Sequence, residues 1–199
     1  MLHLDQNIFL WISGLAGLWG PLDRAASLLA NDYFIPAAIA MIAFGLWFTG
    51  RTSQERRQNQ WGFIYAVTGV GCSSLAVTVM NIFYFRPRPY VVFPQVLTQV
   101  NRLFYQPTVS SFPSYSAALT FAFAFGIWLT NKKFGWVLIC LAALMSIARI
   151  YVGVHYLSDI LGGSIIGILI TYTFSLLLKR VLSPLVNSVL SVLERLFLA

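Results

Sequence analysis

The chain has 199 residues, of which 58% are hydrophobic and only 10% charged, with a formal net charge of +7. A soluble domain carries roughly 25% charged residues, so this chain needs a surface solvent other than water, and the bilayer is one. The excess of positive charge does not indicate nucleic acid. Its basic residues fall in short gaps between apolar runs rather than along one polar stripe, which is how loops flanking membrane spans are charged.

The first stretch, residues 7–30, is split by Gly20-Pro21 and interrupted by Asp23 and Arg24. Each half is short for a crossing, so residues 1–32 are expected to form interfacial helices. Met1 to Gln6 lack a basic leader and include Asp5, so no cleavable signal peptide is expected. Crossing an apolar core of about 30 Å takes about 20 helical residues. Five stretches approach that length: 33–49, 61–84, 114–130, 134–152 and 158–178. The tail, 181–199, is apolar on one side with Glu194 and Arg195 on the other, and reads as a further interfacial helix. The expectation is one domain over 1–199, an all-α integral membrane bundle. It would have five transmembrane helices, or six if the first segments also cross, with short interfacial helices at both ends.

Arg51, Arg56 and Arg57, then Lys132 and Lys133, then Lys179 and Arg180 occupy alternate gaps and so share one face, which the positive-inside rule makes cytoplasmic. The opposite face carries segment 86–113, about 28 residues long and proline-rich. Loops beyond about 12–15 residues are usually functional. The cysteines, Cys72 and Cys140, lie inside apolar runs and are expected to be buried small hydrophobes. His3 and His155 are the two histidines, and with no cluster of histidines and carboxylates, neither a metal nor another cofactor is expected.

Three polar clusters border the outward face. Arg86-Pro87-Arg88-Pro89-Tyr90 follows the second span, and Phe112-Pro113-Ser114-Tyr115-Ser116 opens the third. The run from Ala148-Arg149 to His155 and Asp159 joins the fourth and fifth. Four residues apart, Asp159 and His155 share a helix face, so Asp159 is placed to accept the Nδ1 hydrogen and leave Nε2 free as a nucleophile or base. The plainer reading is a capping aspartate beside an interfacial histidine. Arg88, held between prolines, and Arg149, ending an apolar run, are either snorkelling cations or guanidiniums aimed at a phosphate. Arg86 is expected to help from outside the site or to meet a headgroup. Ser114, after Pro113 and at a helix start, suits a cap and an anion site alike. Together these groups point to phosphoryl transfer through a phosphohistidine at His155.

The clusters resemble the three signature blocks of the type 2 phosphatidic acid phosphatase superfamily: Lys-x6-Arg-Pro, Pro-Ser-Gly-His and Ser-Arg-x5-His-x3-Asp. The runs YFRPRPYV, SFPSYSAA and IARIYVGVHYLSDILGG look most like the bacterial undecaprenyl-diphosphate phosphatases of the bacitracin-resistance type. The resemblance implies a metal-independent enzyme of the cytoplasmic membrane with its site facing outward. It makes His155 the nucleophile, Asp159 its orienting partner, and Arg88, Arg149 and Ser114 phosphate ligands. The partners it implies are a polyprenyl or other lipid phosphate and the membrane lipids.

Three positions depart from the blocks. Asn81 stands for the usual Lys and Ala148 for the usual Ser. Ser116 replaces the second-block His, with Tyr115 beside it in place of Gly or Asp. That His protonates the leaving oxygen; a serine does not do so near neutral pH, and the phenol of Tyr115 is a weak substitute. General acid help is worth about 10²–10⁴ in rate. A lipid monophosphate leaving from a diphosphate is far less basic than an alkoxide, so a diphosphate is the expected substrate. Two other readings stay open: a phosphotransferase with a lipid acceptor, and a catalytically impaired protein that binds or transports lipid phosphates.

Overall fold

The computed structural model describes residues 2–94 and 109–195. Half of the long segment 86–113, residues 95–108, lies outside the described residues. All regular elements described are helical: α1 (Leu2–Ser13), α2 (Gly20–Leu29), α3 (Phe34–Trp47), α4 (Ser53–Phe83), the single turn α5 (Pro89–Val92), α6 (Tyr115–Trp128), α7 (Lys132–Tyr151), α8 (Leu157–Leu177) and α9 (Ser183–Arg195).

Among the described residues, three helices are long and apolar enough to cross a membrane: α4, α7 and the continuous rod that begins with α8. A fourth crossing exists if α2 and α3, bent by 56° at a short break, count as one. Here the structure differs from the sequence reading, which treated 33–49 as a span by itself. α3 has 14 residues and needs α2 to reach across. The break has a local cause. The Asn31 side chain accepts from the amides of Tyr33 and Phe34, at 2.8 and 3.1 Å, and starts a new helix there.

α6 is also only 14 residues long. It is the central helix, packed against α4, α7 and α8. Close approach depends on small residues, the usual means of helix association in lipid. A Cβ on Gly126 of α6 would collide with the backbone of Ala66 on α4, and one on Gly167 of α8 would collide with the carbonyl of Ala118 on α6. The main core joins α3, α4, α6 and α7 through Ile39, Ala66, Ile127, Leu138 and Met145. Outward positions on the same bundle, among them Leu75, Ile82, Leu144, Ile147, Ile165 and Leu169, are exposed and apolar. Cys72 is half-buried and Cys140 exposed, so the expectation that both are buried is corrected: they stand on this outer surface.

α8 does not stop near residue 178. A π-helical turn, Leu178–Leu182, carries it into α9. The combined rod, Leu157–Glu194, has 38 residues, about 57 Å at 1.5 Å per residue. That exceeds the apolar core, so α9 runs on past the basic end of the bundle. There it packs on α4: Arg57 Nη2 donates to the Asn187 carbonyl at 3.0 Å and Trp61 Nε1 to the Asn187 side chain at 3.2 Å.

Candidate active site

At the end of the bundle away from Lys132 and Arg57, four chain segments converge. α7 ends in a Schellman-type motif: the Val154 amide bonds the Arg149 carbonyl at 2.9 Å and the Gly153 amide bonds the Ile150 carbonyl at 3.0 Å. Gly153 takes the left-handed φ of 82° that this motif requires. The motif places Arg149 on the last helical turn and swings His155 back beside it. α8 then starts with Asp159 on its first turn, and the Asp159 carboxylate accepts from the Tyr156 amide at 2.8 Å. An acid at this position caps the orphan amides of a helix start. Ser114 caps α6 in the same way, accepting from the Ala117 amide at 3.3 Å, while its own amide bonds the Asp159 carbonyl at 3.0 Å.

His155 is 1% exposed. Its Nδ1 lies 3.1 Å from the Ser111 carbonyl, and its Nε2 lies 3.2 Å from Arg88 Nη1. These partners fix the tautomer. A carbonyl can only accept and a guanidinium can only donate, so the proton sits on Nδ1 and the lone pair of Nε2 faces Arg88. Burial, joined by the positive charges of Arg149 and Arg88, lowers the imidazole pKa from 6.5 to about 4 against the pull of Asp159. The ring is therefore neutral near pH 7.

Asp159 is placed differently from the sequence expectation. Its carboxylate is 3.6 Å from Nδ1, and the Ser111 carbonyl takes the hydrogen bond. Asp159 instead accepts from Ser111 Oγ at 2.5 Å and from Arg86 Nη1 at 2.7 Å. Arg86 also departs from expectation. It is no outer helper: it bridges Asp159 and Asp5 of α1, both at 2.7 Å, and lies 4.2 Å over the Tyr156 ring. Ser158 adds to this clamp, its hydroxyl 2.5 Å from Asp5.

Arg88 is buried and pinned by main-chain oxygens. Nε donates to the Val109 carbonyl at 3.1 Å, and Nη2 and Nη1 donate to the carbonyls of Ser110 and Val154, each at 3.3 Å. Burial lowers its pKa to about 10, which leaves it charged at neutral pH. Arg149 Nη1 donates to the Ala30 carbonyl at 3.1 Å and pairs with Asp32. Its Nε is buried with no partner among the described residues.

A cavity of about 360 Å³ opens between these groups, lined among the described residues by Arg88, Arg149, His155, Tyr115, Ser116 and Asp32, with Tyr33, Pro36, Val109 and Leu119 also on its wall. Of the residues singled out from sequence, Arg88, Arg149, His155, Tyr115 and Ser116 meet at this cavity. Ser114 is fully buried behind Ser116, 3.3 Å from its hydroxyl. Asn81 is not among the described lining residues, and its side-chain oxygen is buried without a partner among the described residues. Tyr115 holds Ser74 of α4 at 2.5 Å through its hydroxyl. Sequence reasoning missed Asp32, Ser111 and Asp5. Asn31-Asp32, a polar pair between apolar helices, was the signal for the first; the other two carry no motif.

These features define a membrane-type helical bundle with a histidine and two arginines around one anion-sized hollow. The chain belongs to the PAP2 superfamily, whose family model matches residues 60–182. It is 30% identical to the undecaprenyl-diphosphatase BcrC of Bacillus subtilis (strain 168) over 191 residues, 96% of this chain and 92% of that one. It is 29% identical to the bacitracin transport permease protein BcrC of Bacillus licheniformis, over 84% of this chain and 77% of that one. The fold is similar to the PAP2-type phosphatidylglycerolphosphate phosphatase of Bacillus subtilis, with a TM-score of 0.61 at 20% identity, covering 90% of this chain and 87% of that one. Its apolar helices and this family make the chain an integral membrane protein.

Proposed function

We propose that the chain is a lipid diphosphate phosphatase that converts undecaprenyl diphosphate to the monophosphate through a phosphohistidine at His155. The observation that carries this reading is the meeting of the bare Nε2 of His155 with Arg88, 3.2 Å away, on the wall of a cavity shared with Arg149. A phosphoryl group entering between them finds a neutral nucleophile and two guanidiniums for its oxygens. The buried, unpartnered Nε of Arg149 is donor capacity left for such an anion. Relatives named as undecaprenyl-diphosphatases supply the substrate class.

On this reading Asp159 and Ser114 frame the site from behind, and Arg86 and Asn81 support it without touching phosphate. The whole chain acts as one unit in the bacterial cytoplasmic membrane. The cavity opens on the outer face, opposite the basic gaps, and the reaction needs no metal. The test is phosphate release from a polyprenyl diphosphate in detergent with EDTA. Release that survives EDTA and vanishes in His155→Ala supports the proposal; release that persists in the variant removes it.

Ser116 favours a second reading, an impaired protein that binds or carries lipid phosphates. Radiolabelled phosphate that stays on His155 without turnover would select it.

A further inference from the structure

If phosphate occupies the cavity as proposed, the group that must protonate the leaving oxygen has no obvious owner, because Ser116 stands where the family carries histidine. The described lining residues narrow the choice. His155 keeps its proton on Nδ1, turned toward the Ser111 carbonyl and away from the hollow. Tyr33, Tyr115 and Ser116 bring hydroxyls to the wall rather than a carboxyl or an imidazole. Among the described residues, Asp32 is the one carboxylate on the cavity wall. Asp159 lies behind the imidazole, bonded to Ser111, Tyr156 and Arg86.

Asp32 is positioned for the task. The Asn31 side chain fixes its turn by capping Tyr33 and Phe34. Its carboxylate pairs with Arg149, while 43% of its side chain remains accessible. The charged groups facing it are Arg149 at the end of α7 and Arg88 before α5, with neutral His155 between them. A phosphate that takes over the donors of Arg149 removes the partner of Asp32 and places a second anion beside it.

We propose that Asp32 is the acid–base residue of this site, in the role of the histidine that Ser116 replaces. As His155 Nε2 forms its bond to phosphorus, the bond from phosphorus to the bridging oxygen breaks, and the Asp32 proton passes to that oxygen. The Asp32 carboxylate then takes a proton from the water that attacks the phosphohistidine. Inorganic phosphate leaves, and neutral His155 and protonated Asp32 are restored.

The experiment compares wild type, Asp32→Asn, Asp32→Asn/Ser116→His and His155→Ala on farnesyl diphosphate and on 2,4-dinitrophenyl phosphate, whose leaving group is less basic than a phosphate monoester and needs no proton. Single-turnover release of the leaving group is read, so that the later hydrolysis of the phosphohistidine does not enter, beside steady-state kinetics for KM and thermal melts to establish folding. The expected result is a loss of about 10²–10⁴ in diphosphate cleavage for Asp32→Asn, less than about tenfold on the aryl ester, and recovery of at least about tenfold when Ser116→His is added. Undiminished turnover with a lowered KM in Asp32→Asn would overturn the proposal, since Asp32 would then only compete with substrate for Arg149. Equal loss on both substrates without rescue would also overturn it, leaving Asp32 a support for Arg149. Release that survives in His155→Ala would instead strike the phosphohistidine reading, whatever Asp32 does.

Discussion

Arg88 Nη1 faces His155 Nε2 at 3.2 Å, a donor that cannot accept opposite an imidazole nitrogen that must. The same guanidinium is tied to three carbonyls, so its direction is set before any ligand arrives. Lysine would keep the charge and lose the fork. Arg88→Lys is expected to lower kcat/KM by about 10²–10³, the scale of losing one preorganised donor to transition-state charge. Steady-state kinetics on a polyprenyl diphosphate checks this; a loss under tenfold would mean charge alone suffices.

The buried imidazole is expected to titrate far below its ordinary value. His3→Asn leaves His155 as the single histidine, so its ring resonances can be followed without overlap. The midpoint should lie near 4 rather than 6.5. Because the folded value is the lower one, the unfolded chain binds more protons between these values. Stability should therefore decline as pH falls from about 6.5 toward 4 and gain nothing further from this group above 6.5. A midpoint at or above 6.5 would contradict the burial seen here.

Arg86→Ala should cost stability before it costs chemistry. It leaves Asp159, fully buried, without its cation and frees Asp5 on α1. Breaking one side of a buried pair is worth about 3–5 kcal/mol. The detergent melting temperature should drop sharply, and Arg86→Ala combined with Asp5→Ala should lose less than the two single losses added. Strict additivity would show that the two residues act independently.

Asp159→Asn should be milder on turnover than His155→Ala. The Nδ1 proton is held by the Ser111 carbonyl, which the substitution leaves in place. The expected loss in kcat is about 10- to 100-fold, well short of the abolition expected when the nucleophile is removed. Equal losses would make the carboxylate, not the carbonyl, the orienting group.

The contact between α6 and α8 should tolerate no added side chain. Gly167→Val places its Cβ against the Ala118 carbonyl, which cannot move aside, whereas Gly71 of α4 has nothing within 4 Å. Overpacking costs about 1–3 kcal/mol, so Gly167→Val should melt earlier and Gly71→Ala should not. Indistinguishable melts would argue against the close packing of these helices.

The helical, membrane-embedded character was legible in the apolar runs, since composition alone forces that solvent. The extents of the helices were less so. α3 and α6 are each shorter than the apolar runs that contain them, and a hydropathy run does not reveal where Asn31 restarts a helix. In the site, spacing anticipated that Arg149 and His155 lie together, because both are set by one turn around Gly153. It also suggested that His155 and Asp159 are near each other, but not that a carbonyl 44 residues back in sequence takes the Nδ1 hydrogen bond. Contacts such as Arg149 with Asp32, or Arg86 with Asp5, join segments about a hundred residues apart and leave no periodic trace.

The side chains at the hollow hang largely from main-chain oxygens: Val109, Ser110 and Val154 for Arg88, Ser111 for His155, Ala30 for Arg149. Replacing a residue changes its side chain but not its carbonyl. Val109 or Ala30 can thus drift over generations while the cradle keeps its shape, provided the backbone path holds. The scaffold is shielded from mutation at the very positions that build it, so modest identity between homologues is compatible with a nearly unchanged cradle.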